Sequence, residues 1–268
     1  MFHKFCLFIA SSAMLASCFK PAHGSSFKPA SNPVVAHRGA WKTEGLPENS
    51  IAALKAAIDL GCTGSEFDVR MTADDSLIIN HDPAWHKLAI ETNTYAALTQ
   101  FPLSNGEKLP TLREYLLAGA RSNRHTYLVC EIKPSEISKE RGQVIAARVL
   151  ALVREMRVEN SVVFISFDYN ILKKILELAP DARTQYLEGD RNPGQLKADG
   201  VRGADFHHSV YREHPDWVVM ARQNHILLNA WTVNEKSDME WLMSEGFDYI
   251  TTNEPEMALA LWKAKGNK

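Results

Sequence analysis

Strand-like and helix-like segments alternate along this chain from Pro33 to Lys265, and one connection among them is too short to be anything but a hairpin. PVVAHRG reads as a strand. NSIAALKAAIDLG then carries apolar residues at helical spacing, with Asn49 or Ser50 as its cap and Gly61 as its stop. Six further strand patterns follow at intervals (TYLVCEIK, SVVFISF, RTQYLE, ADFHH, ILLNAWTVN and DYITTN), each trailed by a helical one, down to PEMALALWKAK. The second strand, Glu66 to Thr72, is followed after the polar turn Ala73-Asp74-Asp75-Ser76 by another, Leu77 to His81. A parallel crossover needs a dozen or more residues, so the segment LIINH returns antiparallel. Removing it from the count leaves eight strands and eight helices. The chain is therefore expected to form a (β/α)8 TIM barrel with a β-hairpin and a small insertion after strand 2. An open doubly wound sheet would also need a phosphate-binding glycine turn, which the sequence lacks.

Size agrees with that count. About 235 residues, 33–265, form the expected domain, near the length of one such barrel. Ahead of it, Phe5 to Leu15 is an apolar run too short to span a bilayer, so 1–18 is read as a signal peptide. Its end, Leu15-Ala16-Ser17-Cys18, resembles a bacterial lipobox, which makes Cys18 the expected site of an N-terminal lipid anchor. Pro, Gly and Ser in 19–32 suggest a flexible tether. An exported protein is expected, a periplasmic or outer-membrane lipoprotein of a bacterium, touching membrane only through that anchor. Cleavage near Ala22 to Gly24 is the alternative and would release a soluble enzyme. Cys62 and Cys130 are too few for a disulfide framework and read as small buried residues. A formal charge of −2 without a basic stripe argues against nucleic acid as a partner.

Residues two apart on a strand share a face, so Glu66 and Asp68 point one way and Phe67 and Val69 the other. Side-by-side carboxylates between apolar neighbours need a cation or a proton between them. Oxygen ligands favour one hard divalent cation, Ca2+ or Mg2+, over zinc. Barrel chemistry sits at the C-terminal strand ends. There the chain carries His37-Arg38-Gly39 on strand one, Glu66 and Asp68 on strand two, His81 returning through the hairpin, Glu131 and Lys133 on strand three, and Trp231 on strand seven.

These segments resemble the glycerophosphodiester phosphodiesterase family. The resemblance is carried by His37-Arg38-Gly39, Pro47-Glu48-Asn49-Ser50, Glu66-Phe67-Asp68-Val69, His81-Asp82, Pro110-Thr111-Leu112, Glu131-Ile132-Lys133, Trp231-Thr232-Val233-Asn234 and the ending DYITTNEP. It implies Glu66, Asp68 and Glu131 as metal ligands and His37 and His81 as the general base and acid, in an order the sequence leaves open. It also implies a small-molecule glycerophosphodiester substrate, cleaved to sn-glycerol 3-phosphate and an alcohol. Arg38 and Lys133 suit the phosphoryl oxygens, Arg38 as a bidentate fork and Lys133 as a point charge. Glu48 supports the site or is simply a first-turn acid; Trp231 stacks a cationic head group or is core. Asp168 reads as a helix cap, and His207 and His208 as substrate-shaping or structural. After His81-Asp82 the family usually continues to an arginine and a Thr-Gly-rich stretch, whereas here Pro83 to Leu88 follows; Trp85 and Trp41 are candidates for lining the mouth. The rival expectations are a phospholipase D-like enzyme acting on lysophospholipids and a lipoprotein that binds phosphodiester or metal without turnover.

Overall fold

The structure is a computed structural model that describes residues 27–266. The expected signal peptide, Cys18 and most of the tether lie outside the described residues. Among those residues eight parallel strands close on themselves: β1 Val34–Ala36, β2 Gly64–Met71, β3 Tyr127–Ile132, β4 Val162–Ser166, β5 Thr184–Tyr186, β6 Gly203–His207, β7 Leu227–Trp231 and β8 Tyr249–Thr252. Each pairs with its sequence neighbours, and β1 pairs with both β8 and β2, which leaves no open edge within the ring. The helices that follow are α1 Ile51–Leu60, α2 Leu112–Ala120, α3 Lys139–Glu155, α4 Tyr169–Leu178, α5 Pro193–Ala198, α6 Pro215–Asn224, α7 Lys236–Glu245 and α8 Pro255–Gly266.

Period-two alternation divides the buried side chains between two spaces. Phe67, Val69, Cys130, Ile132 and Phe164 point outward and pack beneath the helices with Leu54, Tyr115 and Val149. Val35, Tyr127, Val129, Val163, Ile165 and Leu187 point inward and fill the barrel. Glu66, Asp68 and Glu131 share that inward parity, which is why three carboxylates end up inside. Cys62 and Cys130 are free and buried.

Capping explains several helix boundaries. Ser50, rather than Asn49, caps α1 by accepting from the Ala53 amide, and Gly61 closes it with φ 77°. Asp168 caps α4. Helix α3 starts at Lys139, four residues ahead of the apolar pattern, because Ser138 accepts from the Arg141 amide. A short helix, His208–Glu213, follows β6 where the sequence suggested only a strand end.

The hairpin arm Leu77–Ile79 runs antiparallel to β2, with Val69 opposite Ile79, and ends two residues before His81. The insertion behind it is a small unit with its own apolar cluster, Ile78, Ile90, Leu98 and Leu109. Buried Glu91 ties that unit to α3, accepting from Arg141 Nε at 2.8 Å and from Ser135 Oγ at 2.7 Å.

Of the tether expected over 19–32, residues 27–32 fall among the described residues and make contacts with the barrel. Phe27 packs against Tyr127 with tilted rings 5.0 Å apart, Ala30 N–H donates to the His125 carbonyl, and Asn32 Nδ2 donates to the Gly61 carbonyl. Residues 27–32 therefore lie against the N-terminal ends of β2 and β3, opposite the mouth. A bulky aromatic and a pairing asparagine supply these contacts.

Candidate active site

The turn after β1 is built around two left-handed residues, Arg38 at φ 56° and Gly39 at φ 84°. A Cβ on Gly39 would stand 2.6 Å from the Ala53 carbonyl carbon, so only glycine fits between β1 and α1. This turn aims the Arg38 N–H at Glu66 Oε2, 2.9 Å away. The Arg38 guanidinium donates to Glu48 Oε2 at 2.6 Å and lies 3.6 Å from Asp68 Oδ2. Glu48 thus holds the arginine and lies ahead of the first turn of α1.

Asn49, also left-handed at φ 60°, is buried and clamps Asp68 from both sides: its Nδ2 donates to Asp68 Oδ2 at 2.8 Å and its Oδ1 accepts from the Asp68 amide at 3.1 Å. Lys133 Nζ sits 2.7 Å from Glu131 Oε1 and 3.3 Å from Asp68 Oδ1, so it pairs with both carboxylates. Ligand atoms of Glu66, Asp68 and Glu131 all lie within 4.8 Å of one another.

Burial and mutual repulsion set the titration of this cluster. Burial, then Asp68 and Glu131, push the Glu66 carboxyl well above the ordinary range. Burial followed by Asp68 pushes Glu131 up to about 7 although Lys133 pulls the other way. Burial opposes the Asp68 charge too, yet Lys133, His81, Asn49 and Arg38 together hold its carboxyl below the ordinary value. Glu66 Oε1 is buried with no hydrogen-bond partner among the described residues. Three crowded, buried oxygen donors, two of them driven toward protonation and one with an empty oxygen, fit a hard divalent cation.

The histidines flank the acids from different elements. His37 Nδ1 lies 2.7 Å from Asn253 Oδ1, a pure acceptor, so Nδ1 carries the proton and Nε2, 3.9 Å from Glu66 Oε2, holds the lone pair. Burial first, and then Arg38, lower the His37 pKa, favouring neutral imidazole. His81 Nδ1 lies 2.8 Å from Asp82 Oδ1, and the His81 carbonyl accepts from buried Arg70 Nε at 2.9 Å, which pins the hairpin end.

A cavity of about 120 Å³ is lined by His37, Arg38, Glu66, His81, Glu131 and Lys133 on one side and by Ile165, Phe167, Leu187, Asp205 and Trp231 on the other. Trp231 is edge-on to Phe167 at 5.3 Å, and its Nε1 donates to the Asp205 carbonyl. A wider groove of about 460 Å³ opens beside it, bounded by Glu48, Asn49, Asp82, Trp85 and Leu103, and shares Arg38 and His81 with the cavity. Trp85 therefore lines the mouth as expected. His207 lies behind Trp231, its Nδ1 bonded to Ser209 Oγ, outside the cavity lining.

The profile described as "Glycerophosphoryl diester phosphodiesterase family" matches residues 37–257. The chain belongs to this family. Glycerophosphoryl diester phosphodiesterases are phosphoric diester hydrolases, and the relatives agree. A glycerophosphodiester phosphodiesterase from Caldanaerobacter subterraneus subsp. tengcongensis is 31% identical over 252 residues, covering 87% of this chain and 98% of its own. A crystal structure of a glycerophosphodiester phosphodiesterase from Parabacteroides distasonis is 37% identical with a TM-score of 0.85, covering 89% of this chain and 100% of that one. An Oleispira antarctica phosphodiesterase, solved with sn-glycerol-3-phosphate, shares the fold at 23% identity and a TM-score of 0.74, over 85% and 95% of the two chains.

Four residues of this phosphodiesterase escaped the sequence reading of the site. Asn49 has a place there only as a possible cap and within the motif Pro47-Glu48-Asn49-Ser50, Asn253 only as part of the ending DYITTNEP, and Arg70 and Asp205 none. Asp205 and Arg70 did carry a signal: each is a charged residue at the inward parity of its strand.

Proposed function

We propose that this protein hydrolyses glycerophosphodiesters to sn-glycerol 3-phosphate and an alcohol, with one divalent cation, Ca2+ or Mg2+, held by Glu66, Asp68 and Glu131. The observation that carries this is the cluster of three buried carboxylates within 4.8 Å, two of which, Glu66 and Glu131, line one cavity with His37 and His81. When bound, the cation supplies positive charge for the oxygens of an anionic phosphoryl group. Arg38 and Lys133 add to that charge, each already neutralised in part by its carboxylate partner.

His37 is the general base. Neutral, with Nε2 free, it takes the proton of the glycerol hydroxyl beside the phosphate as that oxygen attacks phosphorus. His81 is the general acid, its Nδ1 held beside Asp82 Oδ1, and it gives a proton to the departing alcohol oxygen. The alcohol leaves through the groove that shares His81 and Arg38 with the cavity. Water then opens the cyclic phosphate with the two histidines exchanging roles, yielding sn-glycerol 3-phosphate. The product bound to the Oleispira antarctica relative supports this assignment.

We also propose export and lipid anchoring at Cys18. Eight residues lie between Cys18 and Phe27, and the nine steps from one to the other reach at most about 30 Å. Because residues 27–32 lie at the end of the barrel opposite the mouth, such an anchor holds the enzyme with its mouth away from the attachment, which suits a water-soluble substrate. Mass spectrometry of the mature N-terminus tests the anchor.

The test of the reaction is release of glycerol 3-phosphate from glycerophosphocholine and glycerophosphoethanolamine, with chelator and with metal restored. Metal-dependent release is expected. A folded, metal-loaded protein that releases it from neither substrate would overturn the proposal and turn attention to lysophospholipids.

A further inference from the structure

Strand β6 stands directly across the ring from β2, four strands away in either direction. Its inward residue Asp205 is 1% exposed and lines the same cavity as His37, Glu66 and His81. Its neighbours in that wall, Ile165, Phe167, Leu187 and the face of Trp231, are apolar. Asn229 hydrogen-bonds the Asp205 side chain, and the Trp231 indole N–H holds its carbonyl, yet Oδ1 has no partner among the described residues. A buried carboxyl oxygen left unmade is costly, so it is completed by something that enters the cavity. Nothing in the hydrolytic steps above uses it.

We propose that Asp205 is a substrate-binding residue that hydrogen-bonds the terminal hydroxyl of the glycerol moiety, the one not adjacent to phosphate. The proposal rests on the hydrolysis of glycerophosphodiesters set out above. With the phosphate held at the β1–β3 wall by Arg38 and Lys133, a three-carbon glycerol is the part of the substrate that crosses the cavity toward β6. The apolar faces of Phe167 and Trp231 suit its carbon atoms, and Asp205 supplies the polar contact at the far end. Its Oδ1, buried and without a partner among the described residues, accepts from a hydroxyl. An acylated oxygen at that position cannot donate, and its chain would have to pass the closed wall of Leu187 and Phe167. The enzyme should therefore prefer diesters with unsubstituted glycerol over lysophospholipids.

The test compares glycerophosphocholine with propane-1,2-diol phosphocholine, which keeps the attacking hydroxyl and lacks the terminal one. The unaltered protein should prefer the glycerol diester by roughly 10–100-fold in kcat/KM, and Asp205→Ala should narrow this to within about threefold, mainly through KM. Asp205→Asn, which retains hydrogen-bonding capacity and shape, should keep a preference above that of Asp205→Ala. Calorimetry supplies a readout independent of turnover: Asp205→Ala should weaken glycerol 3-phosphate binding while inorganic phosphate binds as before. Turnover of both diesters by the unaltered protein without preference overturns the role of Asp205 alone, as does an Asp205→Ala variant that loses both activities equally. Turnover of neither diester overturns the hydrolytic function and this proposal together.

Discussion

On the β1–β3 side of the mouth Asp68 is gripped by Asn49, Arg38 and Lys133, whereas on the β4–β7 side Asp205 presents an oxygen that none of the described residues meets. The first wall is charged and over-determined, each group held by at least one other, as a centre must be if charge is to be balanced while bonds rearrange. The second is apolar, with one polar atom in reserve, as suits a surface that recognises rather than reacts. Damage to the two walls should accordingly read out in different kinetic constants. Changes on the first should lower kcat, and changes on the second should raise KM.

The largest expected effect lies in the carboxylate cluster. Glu66→Gln should lower kcat by about 10³-fold or more and abolish calorimetric binding of Ca2+ and Mg2+; retained metal binding with retained turnover would remove Glu66 from its role. His81→Ala should cost about 10²–10⁴-fold on glycerophosphocholine. Loss of a general acid matters less when the leaving group is already a good one, so the deficit should shrink sharply with a p-nitrophenol ester of glycerol phosphate. An equal deficit on both substrates would assign His81 elsewhere. Asn49→Ala, which touches neither substrate nor the proposed metal directly, should weaken metal binding by about 10–100-fold by freeing Asp68. Unchanged affinity would show that Arg38 and Lys133 suffice.

The metal-free protein should also show the crowding through its pH dependence. Glu131 titrates at about 7 in the fold against an ordinary value of 4.5, so the folded chain holds a proton that the unfolded chain releases first. Where the native state binds more protons, stability falls as pH rises. The melting temperature without metal should therefore drop by about 5–10 °C between pH 5 and pH 7.5. A saturating divalent cation should abolish most of that drop and Glu131→Gln part of it; a flat profile would mean that the cluster is relaxed. The smallest effect belongs to the second wall: Phe167→Ala should raise KM roughly 3–10-fold with kcat nearly unchanged. A fall in kcat instead would merge the two walls into one functional unit.

How much of this site was legible depended on how far apart its parts lie along the chain. Glu66 and Asp68 follow from the two-residue period of one strand, and the proximity of His81 follows from a turn too short for a crossover. Asn49 was visible as a residue that favours helix starts and as part of Pro47-Glu48-Asn49-Ser50, but its grip on Asp68 was not, because that spans nineteen positions and needs the left-handed turn at Arg38 and Gly39. Asn253 reaches His37 across 216 positions, through the closure of β8 on β1. The contacts of residues 27–32 were not legible because composition reports what a segment tolerates, while the Tyr127 ring and the strand-end carbonyls decide what it docks against.

By itself the sequence determined the number of strands and helices, the hairpin after β2, and which residues point inward. Those follow from local periodicity and loop length, which depend only on near neighbours. Only the tertiary structure decided which inward residues share one cavity, because ring closure sets β6 opposite β2 and brings Asp205 to face Glu66 from 139 positions away. The protonation of the cluster was likewise undecided until the fold buried it, since a pKa is set by distance and desolvation rather than by residue type.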